Sequence, residues 1–319
     1  MSDKLLIDLF SAYFSARKNK RNTLSALEFE INYEKEILKL HQELKNNSYQ
    51  ISKSFAFVVF DPVQREIIAS SFRDRVIHYL IFNYINPLFE PLFIHDSYSC
   101  RKNKGTSYGV KRVKHFLKSC SNNYQNNCYV LKLDLSGYFM SINHDILYHK
   151  IKGKILKNKN KCNFDIELIL NLIKKIVFHN YTKKCCIKGN INDWRGLPKN
   201  KSLFYAQPKH GLPIGNLTSQ LFSNIYLNEF DHFIKRKLKF KYYGRYVDDF
   251  IVIHKDREFL KDASKIIQRY LEENLTLKIN TKKIYLQECC KGFRFLGVII
   301  KPFRVYINNR TKNNFYLKI

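Results

Sequence analysis

Gly244-Arg245-Tyr246-Val247-Asp248-Asp249-Phe250-Ile251-Val252-Ile253 is the stretch on which the reading of this chain turns. Two adjacent acids stand between apolar, β-branched and aromatic residues, the pattern of buried strands. A hairpin tip in a core region cannot leave both charges unpaired, because an uncompensated buried carboxylate is costly. A divalent cation removes that cost. Upstream, Asp134 ends a second run of this kind, Tyr129-Val130-Leu131-Lys132-Leu133. Hard Mg²⁺ prefers one or two carboxylates together with substrate phosphates and water. An isolated Asp-Asp is ordinarily a surface turn. The apolar flanks and the second acid behind a strand reverse that reading here.

Composition narrows the partners. Among 319 residues, Lys plus Arg number 56 and Asp plus Glu 27, a formal net charge of +29. Hydrophobic residues at 45% and aromatics at 15% exclude a disordered basic tail. So much positive charge on a folded chain calls for a polyanion first, and a membrane surface second. The longest apolar run, Tyr79 to Ile94, is broken by Asn83, Asn86, Pro87 and Glu90, so no bilayer span is expected. Met1-Ser2-Asp3-Lys4 lacks a signal-peptide pattern, and a cytoplasmic setting is expected. The 8 cysteines include no C-x-x-C pair and read as reduced thiols. Cys185-Cys186 and Cys289-Cys290 have no ligand at zinc spacing beside them.

Periodicity predicts helices over Leu5–Phe14, Leu27–Leu44, Ile67–Asn86 and Leu217–Leu238, with Pro87 and Pro91 closing the third. A basic turn, Arg17-Lys18-Asn19-Lys20-Arg21, separates the first two. Strands are expected at Phe55–Phe60, stopped by Pro62, and at Tyr129–Leu135, Tyr246–His254 and Phe293–Ile300. Without a regular βαβ repeat, this mixture points to an α+β fold with an antiparallel sheet. The Lys/Asn-rich stretches Lys152–Asn163 and Lys183–Lys209 read as surface insertions.

The segment Gly211-Leu212-Pro213-Ile214-Gly215-Asn216-Leu217-Thr218-Ser219-Gln220 is a glycine-bearing turn leading into a helix, which lets backbone approach a nucleotide closely. Alone it is also an ordinary helix cap. Together with Leu133-Asp134-Leu135-Ser136-Gly137-Tyr138-Phe139, Tyr246-Val247-Asp248-Asp249 and Phe295-Leu296-Gly297, it resembles the ordered motifs of a reverse transcriptase. Arg65-Glu66-Ile67, Phe72-Arg73-Asp74-Arg75-Val76 and Ser97–Thr106 are similar to its fingers motifs, and the resemblance covers roughly residues 17 to 317. Intron, retron and retroviral enzymes usually show Gln-Gly and a later Ser-Pro in the turn motif. Here the positions read Ile214-Gly215 and Ser219-Gln220, which resemble reverse transcriptases of diversity-generating retroelements, as do Trp194 and Lys201-Ser202-Leu203-Phe204.

The resemblance implies a right-hand polymerase fold, with N-terminal helices and fingers over 1–125, palm over 126–297 and the start of a thumb over 298–319. Family members continue into a longer helical thumb beyond the Phe295-Leu296-Gly297 motif. This sequence reaches Ile319 soon after it, so a short or missing thumb is expected. The implied reaction copies a template RNA into cDNA from a DNA or RNA primer and dNTP substrates, with errors opposite template adenines. A small basic accessory variability protein is the implied partner, in a bacterial or phage-encoded system without a membrane role.

Carried over by position, Asp134, Asp248 and Asp249, with the Leu135 carbonyl, would hold two Mg²⁺ ions, for which Mn²⁺ can substitute. Phe139, five residues after Asp134, would bar a ribose 2′-hydroxyl. Arg65 and Arg75 would clamp the triphosphate. Ile214 and Gly215 would line the nucleotide site, with Arg101, Lys104 and Gln220 near the nucleic acid. Phe295, Leu296 and Gly297 would grip the primer. Lys283 matches the lysine that protonates pyrophosphate, although Lys282 can exchange roles with it. His78 reads as a satisfied helix residue rather than a catalyst. Two rival readings stand beside this one: a reverse transcriptase of a phage-defence, retron or intron branch, and a non-catalytic basic RNA-binding protein of polymerase-like shape.

Overall fold

In the computed structural model, residues 3–18, 23–61 and 63–316 are described. The chain begins with α1 (Lys4–Arg17), α2 (Leu24–Ile31) and α3 (Tyr33–Lys45), then β1 (Ser54–Val59), β2 (Arg65–Ser70) and α4 (Phe72–Phe89). There follow α5 (Thr106–Cys120), β3 (Tyr129–Asp134), α6 (Tyr138–Ser141), α7 (His144–Lys157), α8 (Ile166–Phe178) and β4 (Cys185–Ile187). The last part holds α9 (Leu217–His232), β5 (Tyr242–Tyr246), β6 (Asp249–His254), α10 (Arg257–Leu275) and β7 (Tyr285–Glu288). It ends with β8 (Phe293–Phe295), β9 (Val298–Ile300), β10 (Val305–Ile307) and α11 (Asn309–Tyr316). The fold is α+β, as the sequence leads one to expect.

Two compact units form: Met1–Leu92 with Phe139–Tyr226, and Phe93–Tyr138 with Leu227–Ile319. In the first, α1 buries Leu9, Ala12, Tyr13 and Ala16 on one stripe and packs on α4, with Tyr13 stacked on Tyr33 at 4.8 Å. Its sheet has the order β2-β1-β4, with β4 parallel to β1. Local caps set the helix starts. Ser71 accepts from the Asp74 amide at α4, Asn143 from Ile146 at α7, and Asp165 from Leu168 at α8.

In the second unit the four strands β5-β6-β3-β7 are antiparallel, and β3 lies between β6 and β7. Helix α10 turns Leu260, Ala263, Ile267, Leu271 and Leu275 inward, and α5 contributes Val113, Phe116 and Leu117 to the core. A smaller antiparallel sheet, β10-β9-β8, follows.

Several expectations need correction. The helix expected from Ile67 begins only at Phe72, because Glu66, Ile68 and Ser70 turn inward along β2 and Ser71 caps the helix. Pro87 does not close it: the helix runs to Phe89, with Asn83 and Pro87 both on the exposed side, where water can satisfy the carbonyl the proline leaves. Leu27–Leu44 is two helices, broken at Asn32 with φ −129°. Tyr246–His254 and Phe293–Ile300 each contain a turn, at Val247-Asp248 and at Leu296-Gly297. The helix expected to Leu238 changes at Phe233 to a π-helical turn over Phe233–Lys237. Lys152–Lys157 belongs to α7, which buries Ile151 and Ile155. Asn19, Lys20 and Arg21 of the basic turn, and Pro62, lie outside the described residues.

Candidate active site

Pairing of β3 with β6 places Asp134 directly opposite Asp249, and Asp248 stands in the turn just before β6. The turn passes through Val247 at φ 55°, a left-handed conformation that β-branched residues rarely adopt. Burial, then the charge of Asp134, pushes the Asp248 carboxyl up to about 6. Burial also raises Asp249, opposed by the nearby Lys132 ammonium. The Lys283 ammonium donates to Asp134 Oδ2 at 2.7 Å, and Lys132 Nζ lies 3.5 Å from Asp249 Oδ1. Three like charges are thus gathered and partly balanced by two lysines.

The turn Thr281–Lys283 that delivers Lys283 is tied to β3, since the Asn280 amide donates to the Asp134 carbonyl at 2.8 Å. Lys283, rather than Lys282, is the lysine hydrogen-bonded to Asp134. Leu135 is buried and bridges to Ile279. Lys132, Asp134, Asp249, Lys283, Tyr285 and Arg294 line an open cavity of about 740 Å³. Among the described residues, no three acidic, imidazole or thiol groups form a ready-made cation cage. Mg²⁺ keeps waters and takes substrate phosphates beside one or two carboxylates. The donor set, hard carboxylate oxygens with proton affinity raised by burial at Asp248 and Asp249, suits such an ion.

In the same unit Phe295 is buried, Leu296 has φ 47° and exposed Gly297 has φ 85°. The Gly297 carbonyl accepts from Asn308 N and Thr311 Oγ1, and Lys132 Nζ sits 5.9 Å from the Phe295 ring. Arg101 and Lys104 are engaged on their own loop. Arg101 Nη1 donates to the carbonyls of Ile94 and Ser97, and Lys104 Nζ to that of His95.

The first unit carries the remaining residues. Gly215 is exposed at φ 130°, and a Cβ there would lie 3.0 Å from Ile67 Cγ2. The Ile214 carbonyl accepts from the Ile68 amide. Half-buried Ile214 and Phe139 pack against one cluster of Ala56, Ile68, Met140, Tyr181 and Leu203. Gln220 is exposed on α9. Arg65 is exposed on β2, and half-buried Arg75 donates from Nε to the Ser70 carbonyl, with burial lowering its pKa. His78 is buried between Thr218 Oγ1 at 2.8 Å and Ser70 Oγ at 3.1 Å, and burial pushes it down to about 3. It is a neutral structural residue.

Sequence reasoning passed over Glu66 and Lys132. Buried Glu66 accepts from Trp194 Nε1, Ser202 Oγ and Leu203 N, and so ties down the stretch 183–209. An acid at an inward position of a strand was the available signal.

Residues 64–300 match the family model for reverse transcriptase (RNA-dependent DNA polymerase). The chain is 26% identical to Protein YkfC of Escherichia coli, over 70% of this chain and 60% of that protein. It is 23% identical to the group II intron-encoded protein LtrA of Lactococcus lactis, over 65% of this chain and 30% of LtrA. Among solved structures, apo telomerase of Candida tropicalis truncated from its C-terminal domain superposes with a TM-score of 0.56 at 15% identity. That match covers 85% of this chain and 60% of the telomerase chain. Among the described residues, no helix is long and apolar enough to cross a membrane.

Proposed function

Because the chain belongs to the reverse transcriptase family of RNA-dependent DNA polymerases, we propose that it extends a DNA or RNA primer along an RNA template with deoxynucleoside triphosphates. The observation that carries this reading is the register pair Asp134–Asp249 with Asp248 in the adjoining turn. These carboxylates, with the Leu135 carbonyl, would hold two Mg²⁺ or Mn²⁺ ions. Such ions, when bound, supply acidity to the primer hydroxyl and neutralise the triphosphate as pyrophosphate leaves. Lys283 holds a proton on Nζ beside Asp134 and would give it to the leaving pyrophosphate. Phe139 and Ile214, packed on one cluster, would shape the sugar and base pocket. Arg65 and Arg75 would meet the triphosphate, Arg101, Lys104 and Gln220 the nucleic acid, and Phe295-Leu296-Gly297 the primer. The assignment of 1–125 as fingers, 126–297 as palm and 298–319 as the start of a thumb belongs to the same proposal.

The finer reading is an enzyme of the diversity-generating type, supported by Ile214-Gly215 and Ser219-Gln220 in the turn motif. It brings with it cDNA errors opposite template adenine, a small basic accessory protein as partner, and a bacterial or phage-encoded, cytoplasmic setting. Primer extension on a defined RNA with Mg²⁺, followed by sequencing of the cDNA, tests both levels. Extension is expected, with errors concentrated opposite adenine. A folded protein that extends no primer would refute the enzyme, and evenly spread errors would refute the diversity-generating branch alone.

A further inference from the structure

Arg245 is the largest fully buried side chain among the described residues, and it is used neither by the catalytic chemistry nor by the motifs. Its Nε and Nη2 reach both oxygens of Asp231 at 2.8 and 2.7 Å, and Asp231 is equally inaccessible. Tyr243 Oη donates to the same Asp231 at 2.6 Å, and Arg245 Nη2 reaches Ser97 Oγ at 3.3 Å. The remaining arm, Nη1, donates to the Val247 carbonyl at 2.9 Å. The backbone is pinned as well: Arg245 N donates to Asp96 O, and Tyr98 N to Arg245 O, each at 2.9 Å.

A buried ion pair does not by itself stabilise a fold relative to well-packed apolar residues. What this pair supplies is direction. Val247 sits at φ 55°, a conformation that is strained for a β-branched residue and persists only where its surroundings over-determine it. The next two residues are Asp248 and Asp249. Arginine alone among side chains can grip a carboxylate with two N–H groups and keep a third for a carbonyl in a fixed plane; lysine has no such fork.

We propose that Arg245 is the positioning residue of the Tyr246-Val247-Asp248-Asp249 turn: clamped by Asp231, it holds the Val247 carbonyl and thereby aims both carboxylates. This rests on the polymerase reading above. It is tested with Arg245→Lys, and with Asp231→Asn/Arg245→Gln, which removes both buried charges so that the fold survives. In each, kcat for single-nucleotide incorporation is expected to fall by about tenfold or more, with KM for dNTP within about twofold and RNA affinity unchanged. Amide hydrogen exchange at Asp248 and Asp249 should quicken by about tenfold or more, a readout independent of activity. Adding Val247→Gly to Arg245→Lys should restore part of kcat, because glycine holds a positive φ unaided. Tyr243→Phe, which removes a hydrogen bond to the same Asp231, should lower Tm and leave kcat intact. Folded Arg245 variants with wild-type kcat and unchanged exchange would overturn the proposal. So would kcat losses that merely follow Tm, Tyr243→Phe included, without rescue by Val247→Gly. A wild-type protein that extends nothing would instead refute the polymerase reading, while exchange at Asp248 and Asp249 still judges the clamp.

Discussion

Replacing Glu66 by alanine should loosen one wall of the proposed nucleotide pocket. The carboxylate is 2% exposed and accepts from Trp194 Nε1 at 2.7 Å, Ser202 Oγ at 2.6 Å and Leu203 N at 2.6 Å. A hydrogen bond to a charged group contributes about 1.5–3 kcal/mol, and each buried donor left alone costs about 1–3 kcal/mol. Ser202 and Leu203 are buried, whereas Trp194 is half-exposed and water can reach its indole. With that relief and the non-additivity of neighbouring bonds, the local loss comes to about 3 kcal/mol, roughly a hundredfold in the opening equilibrium of this stretch. Hydrogen exchange at the Leu203 amide reads it directly, and trypsin cleavage at Lys199 and Lys201 should quicken in parallel. Glu66→Gln, which keeps the shape but only one acceptor oxygen, should fall between. Because Trp194 and Leu203 pack on the cluster that also seats Phe139 and Ile214, discrimination among nucleotides should weaken as well. Unchanged Leu203 exchange in a folded Glu66→Ala protein would refute the reasoning.

Phe139→Ala should let ribonucleotides be incorporated at about tenfold or more their wild-type rate, measured by single-nucleotide extension with rNTPs. Ile214→Gln should lower errors opposite template adenine while polymerisation persists; equal error spectra would leave Ile214 as packing alone. Gly215→Ala should destabilise the protein by about 1–3 kcal/mol in denaturant melts, since φ 130° and a contact at 3.0 Å both oppose a Cβ. With a formal charge of +29, nucleic-acid affinity should fall steeply with salt in filter binding, and a flat response would mean the charge serves something else.

The central sheet was legible because β3 and β6 are short, β-branched apolar runs, and because acids at their ends have no reason to be there without a cation. The order of the motifs carried the family. What escaped was set by tertiary partners. Ile67-Ile68-Ala69 continues the apolar pattern of α4, and only the Ser71 cap and the pairing with β1 make it strand. Arg245 and Asp231 lie fourteen residues apart, and nothing in their spacing shows that they share one buried pair. Arg101 and Lys104 read from sequence as residues near the nucleic acid, and nothing in their spacing shows which carbonyls they meet. The loop that carries them passes through Cys100 at φ 56° and Asn103 at φ 60°, and their charged ends are held on its own carbonyls. Sequence could not tell which of Lys282 and Lys283 lies beside the acids, and the turn anchored on the Asp134 carbonyl brings Lys283 Nζ to Asp134.

Single-turnover incorporation of one deoxynucleotide on a primed RNA template, run beside filter binding, tests the central claim most directly. Wild-type protein should extend the primer only with a divalent cation present. Asp248→Ala and Asp249→Ala should each bind the RNA as tightly as wild type and incorporate nothing measurable, because phosphate contact and metal ligation use different residues. Extension by either variant at more than a few per cent of the wild-type rate would contradict the account.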